Sequence, residues 1–517
     1  MIRDLADAVG RAPDLNADVL VIGAGIAGLL VATRLARAGK RVVVVESGAL
    51  TQPQETHPLN EVEQLGDPYD GAENGRFRCL GGTSTRWGGA MLPFLPADFT
   101  LRPPGWDAEW PIALEALTKY QREVEHIFGL HDGPYDFPDL MPGAFLPRRA
   151  KWPPFRMRNV AATFETDIKS DRGPEIWLNA TATAFGFNPA GLLENVAVRS
   201  LRGGSMTISA RQFVVAAGAI ESTRLLLLAD RQHGERIFAP DKVLGRYFYD
   251  HLSVAAAKLI NVRAKPLNRV IGFSFEGAVM RNLRFEPGAG LRAAKGVSAG
   301  FVHIKAVTAN PGGFDALRGV FQKFQQRRPP DVQQIFALAA AAPWLSRAAW
   351  WRFVEKRLLF PDAAQFEVHV VTEQAPVAAN RIGLSTQRLD LFGLPLATID
   401  WRVSDADANN TLATAQAFIA AWSASDLASM AEIRLATPPD LRRALAEGGG
   451  IYHPGGSIRM GGDAARGVVD SDFASYGVPN ISVVSTATFP SGGGANPTMM
   501  LMMAALRAAE QIATRLN

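Results

Sequence analysis

Two residues near the end of the chain have the side chains needed to oxidise an alcohol. His453 lies in the segment YHPGGSIRMGG, and Asn496 follows in GGGANPTMM. Histidine is the side chain best able to accept a hydroxyl proton near neutral pH, and a carboxamide can hold the same oxygen without competing for that proton. The spacing alone also fits a packed histidine with no catalytic role. The pair therefore suggests alcohol oxidation, and the rest of the chain must decide between the two interpretations.

Residues 17–48, ADVLVIGAGIAGLLVATRLARAGKRVVVVESG, have the pattern of a strand, a glycine turn, a helix and a second strand. Gly23 permits the turn, Gly25 lets the backbone approach a pyrophosphate, and Gly28 lets the helix pack close to the strand. Glu46 ends the second strand, where a carboxylate can accept hydrogen bonds from ribose hydroxyls and disfavours the 2′-phosphate of NADP. This fingerprint predicts a dinucleotide site and leaves FAD and NAD open.

Further motifs follow in a fixed order along nearly the whole chain. Together with the fingerprint, they resemble those of the glucose-methanol-choline (GMC) flavoprotein oxidoreductases, and most closely those of pyranose oxidases and related sugar and polyol dehydrogenases, which also end in GANPT. The motifs are RCLGGTSTRWGGAMLPF at 78–94, VVAAGAIESTRLLL at 214–227, LGRYFYDH at 244–251, HPGGSIRMGG from His453, and GANPT around Asn496.

The resemblance implies an FAD-dependent enzyme that oxidises a CH–OH group of a sugar, glycoside, polyol or other secondary alcohol. An alcohol carbon would lie over the flavin N5 and pass its hydride there, while His453 takes the hydroxyl proton and Asn496 orients the oxygen. The residues expected to bind the cofactor are Gly23, Gly25, Ile26, Ala27, Gly28, Glu46, Ser47, Gly82, Thr83, Arg86, Trp87, Gly88, Gly89, Ala217, Gly218, Thr486, Asn496, Pro497 and Thr498.

Two positions depart from the family pattern. Arg86 stands where pyranose oxidases have a histidine bonded covalently to the flavin, so we expect the FAD to be non-covalent. Ser485 stands where many members have an aspartate near the ribityl or pyrophosphate portion of the cofactor, so that contact is in doubt. The motif LGRYFYDH also contains Asp250 and His251, which the family pattern places near the domain junction and not at the reacting carbon.

Other functions remain open on the same fold. One alternative is a lyase or photodecarboxylase, and another is a flavin-binding protein without turnover. The presence of both His453 and Asn496 argues against each of them. The electron acceptor is O₂ or a quinone, and we favour a dehydrogenase that uses a quinone or a similar acceptor.

Composition limits the partners. The 54 basic and 50 acidic residues are too balanced for a nucleic-acid-binding surface. Cys79 is the single cysteine, so an intramolecular disulfide is excluded, and the eight histidines show no metal-ligand spacing, which predicts no metal site. The first residues resemble neither a signal peptide nor a twin-arginine signal, which predicts a cytoplasmic protein.

The fold class expected from the resemblance is α/β, with a discontinuous Rossmann-like FAD-binding domain and a substrate domain whose antiparallel sheet is covered by helices. The FAD-binding domain is predicted to comprise 1–100, 160–251 and 450–517, and the substrate-binding domain 101–159 and 252–449. Strand-like segments at 253–262, 295–307, 365–374, 381–385 and 395–403 are predicted to form that antiparallel sheet.

The segment 335–360, IFALAAAAPWLSRAAWWRFVEKRLLF, is the most apolar long stretch. Pro343, Arg347 and Arg352 interrupt it, so it is too short to span a bilayer. Its aromatic and basic residues would suit a helix on a membrane surface. We favour a helix packed on the substrate domain with its arginines in solvent, because apolar stripes usually face a core.

Overall fold

The structure is a computed structural model of the 517-residue chain. It describes residues 1–8, 10–52, 56–141, 143–238, 243–308, 312–326, 328–361, 364–435 and 441–517.

Eighteen strands are present in the described residues. They are β1 (Ile2–Asp4), β2 (Leu15–Ile22), β3 (Val42–Val45), β4 (Val62–Gln64), β5 (Phe145–Trp152), β6 (Glu175–Leu178), β7 (Thr181–Phe187), β8 (Leu193–Arg199), β9 (Ser205–Val215), β10 (His251–Ile260), β11 (Ser274–Glu276), β12 (Val279–Pro287), β13 (Gly300–Val307), β14 (Gln365–Glu373), β15 (Arg381–Leu389), β16 (Pro395–Asp400), β17 (Glu432–Leu435) and β18 (Ile481–Val483).

Sixteen α-helices accompany them in the same described part of the chain. They are α1 (Ile26–Arg37), α2 (Ala97–Thr100), α3 (Glu115–Thr118), α4 (Gln121–Ile127), α5 (Phe155–Arg158), α6 (Val160–Thr163), α7 (Glu165–Lys169), α8 (Ala219–Gln232), α9 (Ala264–Ile271), α10 (Ala289–Lys295), α11 (Gly313–Gln325), α12 (Val332–Ala340), α13 (Ala342–Trp350), α14 (Asp405–Ser423), α15 (Leu441–Gly448) and α16 (Thr498–Leu516). A π-helical turn, Trp351–Glu355, continues α13.

The largest sheet contains the nucleotide fingerprint. Its order is β1-β6-β3-β2-β9-β8-β7, with β18 paired to β9. Strand β3 is apolar and fully buried, and it pairs in parallel with β2, as expected for strands covered on both faces. The chain leaves β2 through α1 to reach β3 on one side, whereas β9 lies on the other side of β2. Such a change of direction opens a crevice at the carboxyl ends of the strands, where ligands bind in open α/β sheets.

A second sheet has the order β11-β12-β13-β14-β10-β17, and β5 pairs with β12. All these pairings are antiparallel. Helix α14 covers it, and Phe418 and Trp422 of that helix pack against Phe285 of β12. The predicted class, a discontinuous Rossmann-like domain with a helix-covered antiparallel sheet, is confirmed. The predicted domain boundaries stay predictions.

The assignment of 381–385 and 395–403 to that antiparallel sheet is wrong. Strands β15 and β16 form a separate three-stranded sheet with β4, which pairs in parallel with β16. This small sheet packs on α8 of the nucleotide domain. Arg224 of α8 fixes the contact, because it donates to Asp390 Oδ2 at 2.6 Å and to the Pro395 carbonyl at 2.8 Å. Alternation identified the strands, but their pairing partner lies more than 300 residues away in sequence.

Candidate active site

The glycine turn after β2 has the shape that the fingerprint requires. Gly23 has a φ of +105°, and a Cβ there would lie 2.6 Å from the Ala216 carbonyl oxygen. A Cβ on Gly28 would lie 1.9 Å from the Gly23 carbonyl oxygen, so α1 could not pack as closely with any larger residue. A Cβ on Gly25, by contrast, would meet no protein atom within 4 Å. The space next to Gly25 is therefore open, and it lies in the cleft where a pyrophosphate is expected.

Three helices begin at this cleft. Ile26 of α1, Ala219 of α8 and Thr498 of α16 all line it, and none of the three N-caps is satisfied by a side chain. Unpaired N–H groups and the positive ends of the helix dipoles thus point toward one space. Such an arrangement suits phosphate and carbonyl oxygens.

Glu46 follows β3 and lies where the ribose of the adenosine is expected. Its Oε2 accepts from the Ala24 N–H at 2.9 Å and its Oε1 from the Gly48 N–H at 2.9 Å. Burial raises the pKa of this carboxyl, although the two backbone bonds oppose the shift. Glu46 therefore orders the glycine turn, and each oxygen keeps a lone pair for a further donor.

FAD fits this cleft. The open space at Gly25, the three helix N-termini and the Glu46 carboxylate match the needs of a dinucleotide's pyrophosphate and ribose. Thirteen of the residues predicted from the sequence to bind the cofactor line the cleft: Gly23, Gly25, Ile26, Ala27, Glu46, Ser47, Gly82, Thr83, Ala217, Gly218, Thr486, Pro497 and Thr498.

The other predicted cofactor residues do not line it: Gly28, Arg86, Trp87, Gly88, Gly89 and Asn496. Gly28 is used for packing, as described above. Arg86 stacks on Phe77, with its guanidinium carbon 4.5 Å from the ring centroid, and it donates to the Gln52 carbonyl at 3.0 Å. Phe77 itself lines the cleft, so Arg86 lies behind a lining residue, and its contact with the flavin stays a prediction.

The loop after Arg86 turns toward the second sheet. The indole N–H of Trp87 donates to the Arg158 carbonyl at 2.7 Å. A Cβ on Gly88 would lie 3.0 Å from the Trp152 ring, and one on Gly89 would lie 3.2 Å from the Arg158 side chain. These two glycines therefore permit close packing against β5 and α5, and their contact with the cofactor stays a prediction.

His453 and Asn496 meet, as their proposed shared function requires. The Asn496 amide nitrogen lies 3.0 Å from His453 Nε2. His453 lines the same cleft as the glycine turn, and Asn496 lies directly before α16. The loop carrying His453 is held by Asp250, whose Oδ1 accepts from the His453 backbone N–H at 2.9 Å.

Arg284 of β12 decides the orientation of this pair. Its Nη2 lies 2.5 Å from Asn496 Oδ1. A guanidinium can only donate, so the amide oxygen of Asn496 must face Arg284 and its NH₂ group must face His453. An amide NH₂ also only donates, so His453 Nε2 must be the unprotonated nitrogen. A neutral His453 in this arrangement carries its proton on Nδ1.

Arg284 is itself almost fully buried, with 3% of its surface exposed. Its guanidinium stacks on Phe301, 3.8 Å from the ring centroid. Its Nε and Nη1 atoms are buried and have no hydrogen-bond partner among the described residues. Glu286, two residues along β12, is bonded to Arg148 at 2.8 Å and only partly compensates this charge. The site therefore contains a buried positive charge next to the asparagine.

Asp250 and His251 also belong to the site, which the sequence did not reveal. The His251 and His453 rings are perpendicular, with centroids 5.3 Å apart. His251 Nε2 lies 2.7 Å from the Gly493 carbonyl oxygen. Asp250 accepts from the Tyr69 hydroxyl at 2.5 Å and from the His251 N–H at 2.6 Å. The adjacent pair Asp250-His251 was visible in the sequence, but the family pattern assigns it to the domain junction.

Asp250, His251 and His453 each offer an atom within 4.8 Å of the others, a geometry that metal sites share. The Asp250 oxygens already accept three hydrogen bonds, from Tyr69 and two backbone N–H groups. This carboxylate is thus used to fix the loop, and we assign no metal to it.

Burial sets the charge states of these groups. Desolvation, together with the nearby His251 and Arg284, lowers the pKa of His453 well below its usual value. Burial also lowers the pKa of His251 and raises that of Asp250 to about 7. At neutral pH His453 is therefore an uncharged imidazole, the form that can accept a proton.

Comparisons with known proteins agree with this architecture. A profile described as FAD binding domain matches residues 18–57, and a profile described as GMC oxidoreductase matches residues 376–505. The second match contains both His453 and Asn496. The C-terminal part of the chain is therefore similar to the GMC oxidoreductase family, and its N-terminal part is similar to FAD-binding domains.

Similar proteins include dehydrogenases and oxidases. The chain is 24% identical to 2-methyl-1,2-propanediol dehydrogenase of Mycolicibacterium austroafricanum, over 97% of this chain and 96% of that protein. It is 25% identical to 6'''-hydroxyparomomycin C oxidase of Streptomyces lividus, over 96% and 92%. It is 23% identical to the fructose dehydrogenase large subunit of Gluconobacter japonicus, over 96% and 98%.

Solved structures show the same fold. A formate oxidase from Aspergillus oryzae superimposes with a TM-score of 0.59 and 15% identity, covering 98% of this chain and 99% of that one. Pyridoxine 4-oxidase from Mesorbium loti gives a TM-score of 0.58 and 16% identity, covering 96% and 99%. The chain shares its fold with these two oxidases. The match to an FAD-binding domain and the dehydrogenases and oxidases named above indicate an FAD-dependent oxidoreductase acting on CH–OH donors.

Proposed function

We propose that this protein oxidises a hydroxyl group of a sugar, glycoside, polyol or other secondary alcohol, with His453 as the base. The observation that carries the proposal is the 3.0 Å contact between His453 Nε2 and the Asn496 amide, at the edge of a cleft that fits FAD. When bound, the flavin supplies the hydride acceptor. The relatives named above act on a diol, an aminoglycoside and a sugar by their names, which supports this substrate class.

The pair can bind one hydroxyl and remove its proton. A substrate hydroxyl that replaces the Asn496–His453 hydrogen bond accepts an N–H of Asn496 on its oxygen and donates its proton to the lone pair of His453 Nε2. Because Nε2 is unprotonated in the neutral form, the proton has a place to go as the C–H bond breaks. Asp250 holds the His453 backbone, so the ring stays in reach of the hydroxyl.

Arg284 is a positioning residue in this mechanism. It fixes the Asn496 amide so that its NH₂ group faces the hydroxyl. Its positive charge stabilises negative charge developing on the substrate oxygen, an effect that is strong in a buried site. The same charge lowers the pKa of His453 and so weakens it as a base. The charge of Arg284 therefore stabilises the deprotonated substrate oxygen, whereas it disfavours a proton on His453.

The cofactor is proposed to be non-covalent FAD, because Arg86 stands where the covalent histidine of pyranose oxidases would be and faces Gln52 and Phe77. The electron acceptor is proposed to be a quinone or a similar compound, with O₂ as the alternative. A lyase or photodecarboxylase is disfavoured, because the base and the asparagine are both kept in contact.

Anaerobic mixing of the purified holoprotein with a panel of alcohols tests the proposal. We expect at least one sugar or polyol to bleach the oxidised flavin absorbance in the dark. Admission of O₂ then separates the acceptors: fast return of the absorbance identifies an oxidase, whereas slow return with rapid reoxidation by a quinone identifies a dehydrogenase. Absence of bleaching by every alcohol, with light-dependent product formation from a carboxylic acid, would overturn the proposal in favour of a decarboxylase.

A further inference from the structure

Helix α12 presents its apolar side chains to solvent. The residues Val332, Ile335, Phe336 and Ala339 recur at positions i, i+3, i+4 and i+7 and therefore share one helix face. Phe336 is 72% exposed, and none of the residues of α12 is buried. The helix contains no charged residue. The expectation that the apolar stripe in 335–360 packs on the substrate domain is therefore wrong for α12.

Two neighbouring segments repeat this arrangement. Trp350, Phe353 and Val354 follow the same spacing at the end of α13 and in the π-helical turn, and Phe353 is 75% exposed. Phe321 and Phe324 are exposed on α11, which packs against α12. We call these eight side chains the apolar surface: Phe321, Phe324, Val332, Ile335, Phe336, Trp350, Phe353 and Val354. The helices and the turn that carry these side chains contact one another, and a group of exposed apolar side chains on neighbouring helices marks an interaction site.

The charges around the apolar surface are mainly positive. The described residues of 313–357 include seven basic side chains and three acidic ones, whereas the whole chain is nearly balanced. Two of the acidic groups are neutralised locally, since Asp331 pairs with Lys323 at 3.0 Å and Glu355 pairs with Arg269 at 2.6 Å. Aromatic and aliphatic side chains with basic residues around them suit the interface of an anionic bilayer.

The insert is fixed to the loop around Trp87 and to α5. The Gln325 side chain at the end of α11 donates to the Ser84 carbonyl at 3.1 Å and to the Trp87 carbonyl at 2.9 Å. Phe321 stacks on Phe155 of α5, with ring centroids 4.7 Å apart. The apolar surface is therefore held on a rigid base. Within the described residues, no helix is long and apolar enough to cross a bilayer.

We propose that the apolar surface binds the headgroup region of an anionic lipid bilayer, with helices α11–α13 lying on the membrane and not through it. The side chains of the apolar surface enter the boundary between headgroups and acyl chains, and the basic side chains around it face the anionic lipid phosphates. A second copy of the chain on this surface is the competing possibility, and the experiment separates the two.

Co-sedimentation of the flavin-loaded protein with vesicles tests the proposal. One set of vesicles contains phosphatidylcholine alone and the other also contains phosphatidylglycerol. We expect binding to the anionic vesicles to be about tenfold tighter, the effect of one or two lysine or arginine contacts, and to weaken as salt is added. Replacing Val332, Ile335 and Phe336 together by serine should reduce binding by at least about tenfold, since three apolar side chains no longer leave water.

Matched controls keep the result interpretable. Leu389 and Leu391 are 59% and 64% exposed on another surface, and their replacement by serine should leave vesicle binding unchanged. The charge change Arg318→Glu on α11 should weaken binding to anionic vesicles only. Flavin content must equal that of the parent protein in each variant, and Phe353→Ser provides a second test should the triple variant lose flavin.

Three results would overturn the proposal. One is equal, negligible sedimentation of the parent protein with both kinds of vesicle. Another is vesicle binding that the triple serine variant and Phe353→Ser leave intact. The third is a lipid-free dimer that becomes a monomer in the triple variant, which would assign the apolar surface to a second copy. Flavin bleaching by alcohol in lipid-free solution is expected to be unchanged in every variant, so this test is independent of the proposed oxidation.

Discussion

Truncating His453 to alanine removes the proton acceptor and leaves its backbone bond to Asp250 available. A positioned general base contributes about 10²–10⁴-fold to rate, which corresponds to about 3–5 kcal/mol in the barrier. We expect anaerobic flavin reduction to slow by that factor in His453→Ala, because water is a poorer and unpositioned base. The flavin content and the oxidised spectrum should stay unchanged, since the glycine turn and the helix N-termini are untouched.

Asn496→Ala removes one hydrogen bond to the substrate oxygen, and the expected loss is about 10–10³-fold, the scale of one oxyanion donor or somewhat less. The two losses should not multiply. The side chains lie 3.0 Å apart and act on one hydroxyl, so the double variant should be little slower than the worse single one.

Asn496→Asp provides a sharper variant, because Arg284 lies 2.5 Å from the retained oxygen. An aspartate there would pair with Arg284 and would offer only acceptors to His453. His453 Nε2 would then have to carry the proton and donate it, which removes the lone pair that the reaction needs. We expect Asn496→Asp to be at least as slow as Asn496→Ala, even though it is closer in shape to the parent residue.

Stopped-flow reduction rates, divided by bound flavin, measure all these variants. A histidine that only packs would give an unstable or flavin-depleted protein whose remaining holoenzyme reduces at the parent rate. A parent-like rate in the His453→Ala holoenzyme would therefore refute the mechanism, and an Asn496→Asp variant much faster than Asn496→Ala would refute the assigned histidine tautomer.

Three further predictions follow from the site. Arg284→Lys keeps the positive charge and loses the planar guanidinium, whereas Arg284→Gln keeps a hydrogen-bond donor and loses the charge. Because the charge lowers the pKa of His453, the acid limb of the pH profile for flavin reduction should move to higher pH in Arg284→Gln and move less in Arg284→Lys. Identical pH profiles in the two variants would contradict this effect of the charge. Gly25→Val should abolish flavin retention, because its side chain fills the open space where the pyrophosphate is expected. Full flavin occupancy after gel filtration would remove that assignment. Acid precipitation should release the flavin into the supernatant, and a yellow pellet would show a covalent bond despite Arg86.

The nucleotide domain was predictable because its signal is local. Gly23, Gly25 and Gly28 act within one turn, and the strands on both sides are apolar runs that only a buried parallel sheet accommodates. The sequence gives their spacing and chemistry directly. The structure adds only which contacts make each glycine necessary, such as the Ala216 carbonyl against Gly23.

The direction of a loop was not predictable in the same way. The family resemblance places Gly88 and Gly89 among the residues expected to bind the cofactor. The structure shows that they approach Trp152 and Arg158. A glycine indicates that another group packs close to the backbone, but the sequence does not say which group that is.

The positioning of the base was hidden for a different reason. Arg284 is 212 residues from Asn496 in sequence, and it lies in the strand segment NLRFEP, where its neighbours Leu283 and Phe285 suggest an ordinary alternating strand. In such a strand Arg284 would be assigned to the solvent face. It is instead buried, because both faces of β12 are covered and its guanidinium stacks on Phe301 of β13.

The orientation of the apolar surface was also not predictable from the sequence. The spacing of Val332, Ile335 and Phe336 predicts a helix with one apolar face, and that part of the sequence interpretation agrees with α12. Charged residues usually mark the face in water, but α12 has none, and its opposite face carries Gln333, Gln334, Ala337 and Leu338. With neither face favouring solvent by charge, packing of α11 against α12 and of Phe321 on Phe155 decides the orientation. The insert is therefore oriented by its attachment to α5 and to the loop around Trp87, and the apolar side chains of α12 are left exposed.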